Sequence, residues 1–347
     1  MSGTSLDGVD IVLAKFKEED NNWSFEILAS KTFSYTTYWN TELKNVFHSS
    51  AQHLAMLDGH LGMYFGYLVN TFCDEFKLDK SQIDVIASHG HTIFHNPIDQ
   101  YTTQIGSGAH IAATTGIKTV CDFRSQDVAL GGQGAPLVPV GDKYLFREYP
   151  VCINLGGFSN ITVKGEDGIT AYDICPVNMA LNFYAQREGM SFDEDGKLSR
   201  KGSTHGKLLN ELNQIGYYGQ KAPKSLSKEW FNAKFIPYCE YFDLSTKDTL
   251  RTLTEHIAIQ ISKVLDNLPD GGKVLITGGG AFNLFLIELL KSKTTCDIIV
   301  PESSIVKYKE ALIFAFLGVL RVLGRENILS SVTGAQKNST GGCVYLP

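Results

Sequence analysis

Three glycine-rich turns constrain what this chain can fold into more than any other feature of its sequence. They are, in chain order, Ser2-Gly3-Thr4-Ser5-Leu6-Asp7-Gly8, Asn154-Leu155-Gly156-Gly157-Phe158-Ser159-Asn160 and Thr277-Gly278-Gly279-Gly280-Ala281-Phe282-Asn283. Each turn adjoins a run of β-type residues, at 9–14, 151–153 and 273–276. Because glycine has no Cβ, the backbone N–H groups of such turns can approach a phosphate closely. Three of them in this order predict two lobes that bind one nucleotide.

The third turn has an additional feature that favours an anionic ligand. Apolar residues between 281 and 290 recur at helical spacing, which predicts a helix directly after Gly280. At the N-terminus of a helix, unpaired amides and the helix dipole favour phosphate or ribose oxygens.

The two halves of the chain repeat one pattern of strands followed by helices. In the first half we predict a hairpin over 9–16 and 24–33, a helix over 54–76 and a buried strand over 83–88. In the second half we predict strands at 151–155, 158–163 and 169–173, then helices at 178–187 and 246–268. This pattern predicts a duplicated, actin-like α/β fold of two lobes with an interdomain nucleotide cleft. The predicted lobes are residues 1–148 and 149–347, with the option that the C-terminal helix packs back on the first lobe.

One irregular segment lies near the predicted boundary. Residues 131–139 contain three glycines and two prolines, which exclude both a helix and a regular strand. We therefore predict a shaped interdomain loop.

Composition and missing motifs exclude several classes of function. A net charge of −6 without Lys/Arg clusters argues against a nucleic-acid partner. No apolar stretch approaches the roughly 20 residues that span a bilayer, so no membrane association is expected. Seven widely spaced cysteines without a Cys-x-x-Cys pair favour reduced thiols and a cytoplasmic location. The chain also lacks the P-loop and nucleophile-elbow motifs, which disfavours a P-loop NTPase and a serine hydrolase.

The order of the three turns is similar to the two phosphate loops and the adenosine loop of the actin, sugar-kinase and heat-shock ATPase superfamily. A closer resemblance, to the anhydro-N-acetylmuramic acid kinase family, covers nearly the whole chain. Eight blocks carry it in the family's order: Met1-Ser2-Gly3-Thr4-Ser5-Leu6-Asp7-Gly8-Val9-Asp10, Ser88-His89-Gly90-His91-Thr92, Asp122-Phe123-Arg124, Asp127, residues 131–139 and 154–162, Pro223-Lys224-Ser225, and Ser331-Val332-Thr333-Gly334-Ala335.

The resemblance implies a homodimeric kinase of cell-wall recycling. It would use ATP, Mg²⁺ and water to open the anhydro ring of 1,6-anhydro-N-acetylmuramic acid and form N-acetylmuramate 6-phosphate. This reaction needs a general base for the water and an electrostatic cradle for the γ-phosphoryl group. Asp173 matches the family's catalytic aspartate, and we place it at the end of a strand, directly before the helix-start signal Pro176.

The remaining site residues follow from the turns and from the resemblance. The predicted ATP contacts are Gly3, Thr4, Ser5, Leu6, Asp7 and Gly8 in the first turn, Val9 and Asp10 directly after it, Gly156, Gly157 and Asn160 in the second turn, and Gly278, Gly279, Gly280 and Asn283 in the third. The predicted sugar contacts are His89, Arg124, Asp127 and Glu310. Asp7 and Asp10 are candidates to orient Mg²⁺ through water.

Several of these residues have simpler interpretations. Arg124 and Asp127 would also fit a surface ion pair, and Glu310 would fit an acid in the first turn of a helix that complements the helix dipole. Asp7 and Asp10 are common turn formers. The histidines at 89, 91 and 95 would share one face of a strand by alternation alone, which favours polar contacts over a metal site.

The chain departs from the family pattern in two places. The sequence starts at the methionine of the first turn, where family members have a further strand, so we expect an upstream stretch that encodes four to eight mostly apolar residues. The second departure is Cys175 and Val177, which replace two glycines beside Asp173. This second departure leaves two alternative functions open: a kinase of another amino sugar, or a non-catalytic protein that binds a sugar or nucleotide.

Overall fold

The structure is a computed structural model that describes residues 1–3, 6–166, 168–268 and 272–347. Thr4 and Ser5, two of the predicted ATP contacts, lie outside the described residues. The strands are β1 (Val9–Glu19), β2 (Asn22–Phe33), β3 (Ile86–Ala87), β4 (His91–Asn96), β5 (Tyr101–Ile105), β6 (Thr119–Cys121), β7 (Val151–Leu155), β8 (Phe158–Gly165), β9 (Gly168–Pro176), β10 (Lys273–Thr277), β11 (Asp297–Ile299) and β12 (Cys343–Tyr345).

The helices are α1 (Thr37–Asn45), α2 (Ala51–Glu75), α3 (Gly108–Thr115), α4 (Ser125–Ala129), α5 (Pro139–Leu145), α6 (Asn178–Ala185), α7 (Lys197–Lys201), α8 (Gly206–Asn213), α9 (Lys228–Trp230), α10 (Ile236–Glu240), α11 (Thr246–Asp266), α12 (Leu284–Lys293), α13 (Ser303–Val322) and α14 (Ser330–Thr333). The α/β fold class predicted from the sequence is confirmed.

The chain forms two compact units. The first contains Met1–Phe146 and Tyr308–Pro347, and the second contains Arg147–Lys307. The predicted boundary after residue 148 lies close to the first division between them, and residues 308–347 pack with the first unit.

The first unit is built from small sheets and the long helix α2. Strand β1 pairs antiparallel with β2, β3 pairs parallel with β6, and β12 pairs antiparallel with β6. Helix α2 begins at Ser50, whose side chain accepts a hydrogen bond from the backbone N–H of His53, a standard N-cap. Its buried Leu57, Leu61 and Phe65 form one face of a core with the β1–β2 hairpin.

The second unit is organised around one five-stranded sheet, in the order β11-β10-β7-β8-β9. Strand β7 pairs parallel with β10 and antiparallel with β8. Helix α11 covers this sheet with side chains that include the fully buried Leu250, Leu253 and Ile257. Because the central strands β7 and β10 are buried on both faces, their sequences are almost continuously apolar.

Three local predictions need correction. Asp173 does not end its strand, because β9 continues to Pro176. Glu310 is not in the first turn of a helix, because α13 already begins at Ser303, so the helix-dipole interpretation is wrong. Residues 131–139 do not join two units but connect α4 to α5 within the first one.

Candidate active site

The second glycine turn joins β7 to β8 and caps a helix. The carbonyl of Gly157 accepts hydrogen bonds from the backbone N–H groups of Val177 (2.8 Å) and Met179 (3.1 Å), and the carbonyl of Gly156 accepts one from Asn178 (3.1 Å). These bonds satisfy amides at the N-terminus of α6 that would otherwise lack partners. The turn is therefore held firmly against α6.

The third glycine turn lies beside the second. Thr277 of β10 is the register partner of Asn154 of β7, so both turns leave the carboxyl edge of the same sheet. A Cβ on Gly278, which has a φ of 81°, would come within 2.5 Å of the Asn154 side-chain oxygen. A Cβ on Gly280 would come within 2.8 Å of the Leu155 Cβ. Close packing of the two turns thus requires glycine at 278 and 280, and the carboxyl edge of such a sheet is where α/β proteins bind ligands.

Gly157 and Gly279 differ from these packed glycines. Both are exposed, and a Cβ would stay 3.7 Å and 3.5 Å from the nearest protein atoms. Packing within the protein therefore does not require glycine at either position. A ligand that approaches the backbone closely would require it.

Asp173 lies beside these turns on β9. It is the register partner of Asn160 on β8, so the two side chains project from the same face of the sheet. The backbone N–H of Leu226 donates to Asp173 Oδ2 at 2.9 Å, and the Tyr217 hydroxyl donates to the Asp173 carbonyl at 2.7 Å. Desolvation raises the pKa of Asp173, and the hydrogen bond from Leu226 partly offsets this effect.

Sequence reasoning missed the residues that hold Asp173. Lys224 Nζ lies 4.7 Å from the centre of the Tyr217 ring and donates to the Tyr217 carbonyl at 3.3 Å. The backbone carbonyl of Lys224 accepts from the N–H of Asp173 at 3.2 Å. The block Pro223-Lys224-Ser225 was a sequence signal for this segment, but it did not indicate that the segment packs on Asp173.

The segment with Cys175 and Val177 is packed inside the second unit. Both side chains are fully buried, and burial raises the pKa of the Cys175 thiol to about 12. Val177 has a φ of −124°, so this β-branched residue is not forced into the left-handed region. The complete burial of Cys175 argues against a nucleophilic role.

The first glycine turn lies in the first unit and is tied to β1. Asp10 and Met1 exchange two backbone hydrogen bonds, of 2.8 Å to the Met1 carbonyl and 2.7 Å from the Met1 amino group. The buried Ser2 hydroxyl bonds to the Tyr35 hydroxyl (2.5 Å) and to His91 Nδ1 (2.8 Å). Gly8 packs against the Phe33 carbonyl so closely that a Cβ would clash with it.

Arg124 and His89 form a fixed pair in the first unit. The Nε and Nη2 groups of Arg124 both donate to His89 Nε2, at 3.0 and 2.8 Å, and Nη1 donates to the Gly134 carbonyl at 2.6 Å. Since His89 Nδ1 lies 2.9 Å from the Gly90 carbonyl, that nitrogen carries the proton and Nε2 is the acceptor. Burial and the neighbouring Arg124 charge keep the pKa of His89 well below its usual value. The neutral ring therefore orients the guanidinium, and both of its nitrogens are already engaged.

Asp127 and Glu310 have different environments. Asp127 is fully buried; Oδ2 accepts from the Gly134 N–H and Oδ1 from the Thr333 hydroxyl, each at 2.7 Å. This carboxylate holds the 131–134 segment in place. Glu310 has an exposed side chain, yet enough protein surrounds its carboxyl group for desolvation to raise its pKa, while the charge of Arg124 opposes the shift.

Of the predicted Mg²⁺ residues, Asp7 lies near the C-terminal end of the first turn and Asp10 lies just after it, in β1. Asp7 is exposed, and Asp10 Oδ1 accepts from the Thr32 hydroxyl at 2.6 Å. Within the described residues, no group of three or more His, Cys, Asp or Glu side chains could hold a metal ion directly. This part of the chain also contains no helix with the length and apolar character needed to cross a membrane.

The family model and the curated relatives give one consistent result. A family model described as anhydro-N-acetylmuramic acid kinase matches residues 1–347. The curated anhydro-N-acetylmuramic acid kinase of Hydrogenovibrio crunogenus is 36% identical over 362 residues, which cover 100% of this chain and 97% of the relative. That of Aliivibrio fischeri is 35% identical over 365 residues, or 99% of this chain and 97% of the relative. Among solved structures, the activator of 2-hydroxyisocaproyl-CoA dehydratase from Clostridium difficile with bound ADPNP has a TM-score of 0.41 and 13% identity, covering 83% of this chain and 84% of that one.

Proposed function

Because this chain belongs to the anhydro-N-acetylmuramic acid kinase family, we propose that it opens the 1,6-anhydro ring of anhydro-N-acetylmuramic acid and phosphorylates the product to N-acetylmuramate 6-phosphate. The observation that carries this proposal is the family match over all 347 residues, which includes the three glycine turns and Asp173. The reaction belongs to the recycling of cell-wall amino sugars.

Asp173 is the general base in this proposal. It takes a proton from water as the water oxygen bonds to the anomeric carbon, and the bond from that carbon to O6 breaks. The electron pair of the broken bond stays on O6, which then bonds to the γ-phosphorus of ATP. The bond from that phosphorus to the β,γ-bridging oxygen breaks, and ADP leaves with its electron pair. The desolvation that raises the pKa of Asp173 supports the role, since a stronger base accepts a proton more readily.

The glycine turns of the second unit supply the nucleotide contacts. Gly157 and Gly279 are the two positions whose backbones are open to a ligand, and their N–H groups would bind phosphate or ribose oxygens. Bound Mg²⁺ supplies positive charge that neutralises the transferring phosphoryl group. The exposed Asp7 and the second carboxylate oxygen of Asp10 suit water-mediated contact with this ion.

Arg124 and Glu310 are the sugar contacts that the surroundings support best. The hydrogen bonds to His89 and Gly134 use three of the five guanidinium N–H groups, so one remains on each of Nη1 and Nη2. Two such groups can bind a lactyl carboxylate with parallel hydrogen bonds. Asp127 would support sugar binding indirectly, by holding the 131–134 segment in place.

We infer a cytoplasmic enzyme. The seven cysteines, all within the described residues, form no disulfide, as expected in a reducing compartment. We also propose that the enzyme is a homodimer, as the family resemblance implies.

An ADP-release assay tests the function directly. Purified protein receives ATP and Mg²⁺ with either anhydro-N-acetylmuramic acid or the open sugar, and product is identified by mass. The expected result is ADP release with the anhydro sugar and a product that has gained one water and one phosphoryl group. Release with only the open sugar would instead indicate a kinase of another amino sugar. A ligand-induced rise in melting temperature without ADP release would indicate a non-catalytic binding protein.

A further inference from the structure

Two cysteines of the first unit lie directly opposite each other on neighbouring strands. In the antiparallel pairing of β12 with β6, Cys343 is the register partner of Cys121. Residues that face each other in this way project their side chains from the same face of a sheet. In the strand pairings of the described residues, this is the one place where two cysteines meet. The two thiols therefore form a candidate cross-strand pair.

The separation of the two backbones is suitable for a disulfide. The carbonyl of Val120 accepts a hydrogen bond from the N–H of Ser88 at 2.8 Å, so it points toward the segment that contains β3. By alternation, the backbone groups of Cys121 point toward β12, which makes Cys121 and Cys343 a hydrogen-bonded pair. The Cα atoms of such a pair are about 5.5 Å apart. This distance lies within the range of about 4.4–6.8 Å that is usual for disulfides.

Both thiols lie on the face of the sheet that α3 covers. A Cβ on Gly108, the first residue of α3, would come within 2.5 Å of Cys121 Sγ and within 3.0 Å of Tyr345 Cδ2. Glycine at this position therefore leaves room for the Cys121 thiol. Cys343 precedes Tyr345 by two residues on β12, so its side chain projects from the same face. Cys343 is exposed and Cys121 is half-buried, so a small molecule in solution reaches the pair from the side of Cys343.

Hydrogen bonds directly before β12 hold this strand in its register. The side-chain amide of Asn327 donates to the Gly341 carbonyl at 2.9 Å, and its oxygen accepts from the Gly341 N–H at 2.7 Å. Arg321 Nε donates to the Gly342 carbonyl at 2.7 Å. The side chains of residues 343–347 are exposed, and β12 lies at the edge of its sheet. A covalent link from β12 to β6 would therefore extend a firmly held segment into an exposed edge strand.

We propose that Cys121 and Cys343 form a reversible disulfide when the protein meets a low-molecular-weight disulfide such as oxidised glutathione. The Cys343 thiolate attacks one sulfur of the small disulfide, the S–S bond of that molecule breaks, and one small thiol leaves with the electron pair and the proton that Cys343 gave up. The Cys121 thiolate then attacks the Cys343 sulfur of the mixed disulfide, and the second small thiol leaves with the proton from Cys121. Two protein thiols are oxidised, and one small disulfide is reduced to two thiols.

The surroundings of the two thiols determine the order of these steps. Burial raises the pKa of Cys121 to about 12, so its thiolate is scarce and Cys343 reacts first with the small disulfide. The second step joins two residues that the sheet already holds opposite each other, and this proximity compensates for the scarcity of the thiolate. Because Cys343 is exposed, an excess of small thiol can reduce the product again. The pair is thus a redox-sensitive link between β12 and β6.

Oxidation of the purified full chain tests the proposal. The protein is incubated with oxidised glutathione, digested without reduction and analysed by mass spectrometry. We expect peptides linked through Cys121 and Cys343, a melting temperature raised by about 4 °C or more, and reversal of both effects by dithiothreitol. Hydrogen exchange at the amides of β12 should slow about tenfold or more, because the linked strand no longer separates from β6 by local opening.

Three single variants distinguish this pair from the other cysteines. Cys121→Ser and Cys343→Ser should each lose the linked peptides and the gain in melting temperature, and Cys121→Ser should keep glutathione attached to Cys343. Cys296→Ser, which removes a half-buried thiol of the second unit, should behave like the parent.

Three results would overturn the proposal. The first is stable glutathione on Cys343 of the parent without the link to Cys121. The second is a link between the Cys343 residues of two copies, which non-reducing electrophoresis detects as a doubled mass. The third is an equal gain in melting temperature in oxidised Cys121→Ser. Each of these measurements is independent of kinase activity.

Discussion

Replacing Asp173 by asparagine removes the proposed base and leaves its surroundings almost unchanged. Asparagine has nearly the same shape, and its Oδ1 can still accept the hydrogen bond from the Leu226 N–H, which is 2.9 Å from the aspartate oxygen. The Tyr217 hydroxyl bonds to the backbone carbonyl of residue 173, so this contact does not depend on the side chain. We therefore expect Asp173→Asn to fold normally.

The expected loss of activity follows from the role of a positioned base. Such a group contributes about 10²- to 10⁴-fold in rate, equivalent to about 3–5 kcal/mol of transition-state stabilisation. The KM for ATP should stay within about twofold of the parent value, because the carboxyl group is not a proposed nucleotide contact. In the parent enzyme, kcat should fall as the pH drops through the raised pKa of Asp173, since protonation abolishes the base.

The same variant should change the pH dependence of stability in a defined direction. The folded-state pKa of Asp173 is raised above its unfolded value, so the folded state holds this proton to a higher pH. The stability gained from this proton is present at low pH and is lost as the pH rises through the folded-state pKa. Asp173→Asn should therefore gain stability relative to the parent as the pH rises from 4 to 8.

Two assays measure these effects, with Tyr217→Phe as the matched control. Initial rates of ADP formation give kcat and the KM for ATP, and urea unfolding at pH 4 and pH 8 gives the free energies of unfolding. Tyr217→Phe removes one hydrogen bond to residue 173 but keeps the carboxylate, so it should retain a much larger share of activity. If Asp173→Asn kept more than a tenth of the parent kcat, the assignment of the base would be refuted.

Three further predictions test the contacts around the site. Arg124→Lys cannot reproduce the forked contact with His89, so the KM for the sugar should rise about tenfold or more while the KM for ATP stays within about twofold, as steady-state kinetics would measure. Gly279→Ala should keep the melting temperature of the parent but bind ATP more weakly. Gly278→Ala should lose about 1–3 kcal/mol of stability, because residue 278 has a positive φ and an added Cβ would approach the Asn154 side chain closely. Calorimetry and nucleotide titration distinguish the two variants, and equal losses of stability and of ATP affinity in both would contradict the division between packed and open glycines. Asp127→Asn should lower the free energy of unfolding by about 1–3 kcal/mol in urea titrations, and an unchanged value would contradict its role as a buried anchor.

Local sequence patterns predicted most of the secondary structure. The β1–β2 hairpin, the strands β7 to β9 and the helices α2 and α11 lie within a few residues of the predicted ranges. Periodicity and turn residues determine these elements because they act over one or two helical turns or one strand. The boundaries were less accurate where tertiary contacts extend an element, as at Asp173, which lies within β9 instead of at its end.

Much of the candidate site could not be predicted from the sequence. Leu226 and Tyr217 hold Asp173 from 53 and 44 residues away along the chain, and Thr333 bonds to Asp127 across 206 residues. No local pattern indicates such pairs, because each donor meets its acceptor only after strands and helices have packed. The same holds for His89, whose Nε2 accepts hydrogen bonds from a guanidinium 35 residues away.

The sequence by itself determined the α/β class, the three glycine turns and the position of Asp173, because turn chemistry and hydrophobic periodicity are properties of short segments. Tertiary structure alone decided which glycines are packed and which are open, since this depends on the atoms that neighbouring elements place around them. It also decided that Arg124 is held by a neutral histidine. These features arise from contacts between distant segments, and the free energy of such contacts exists only in the folded chain.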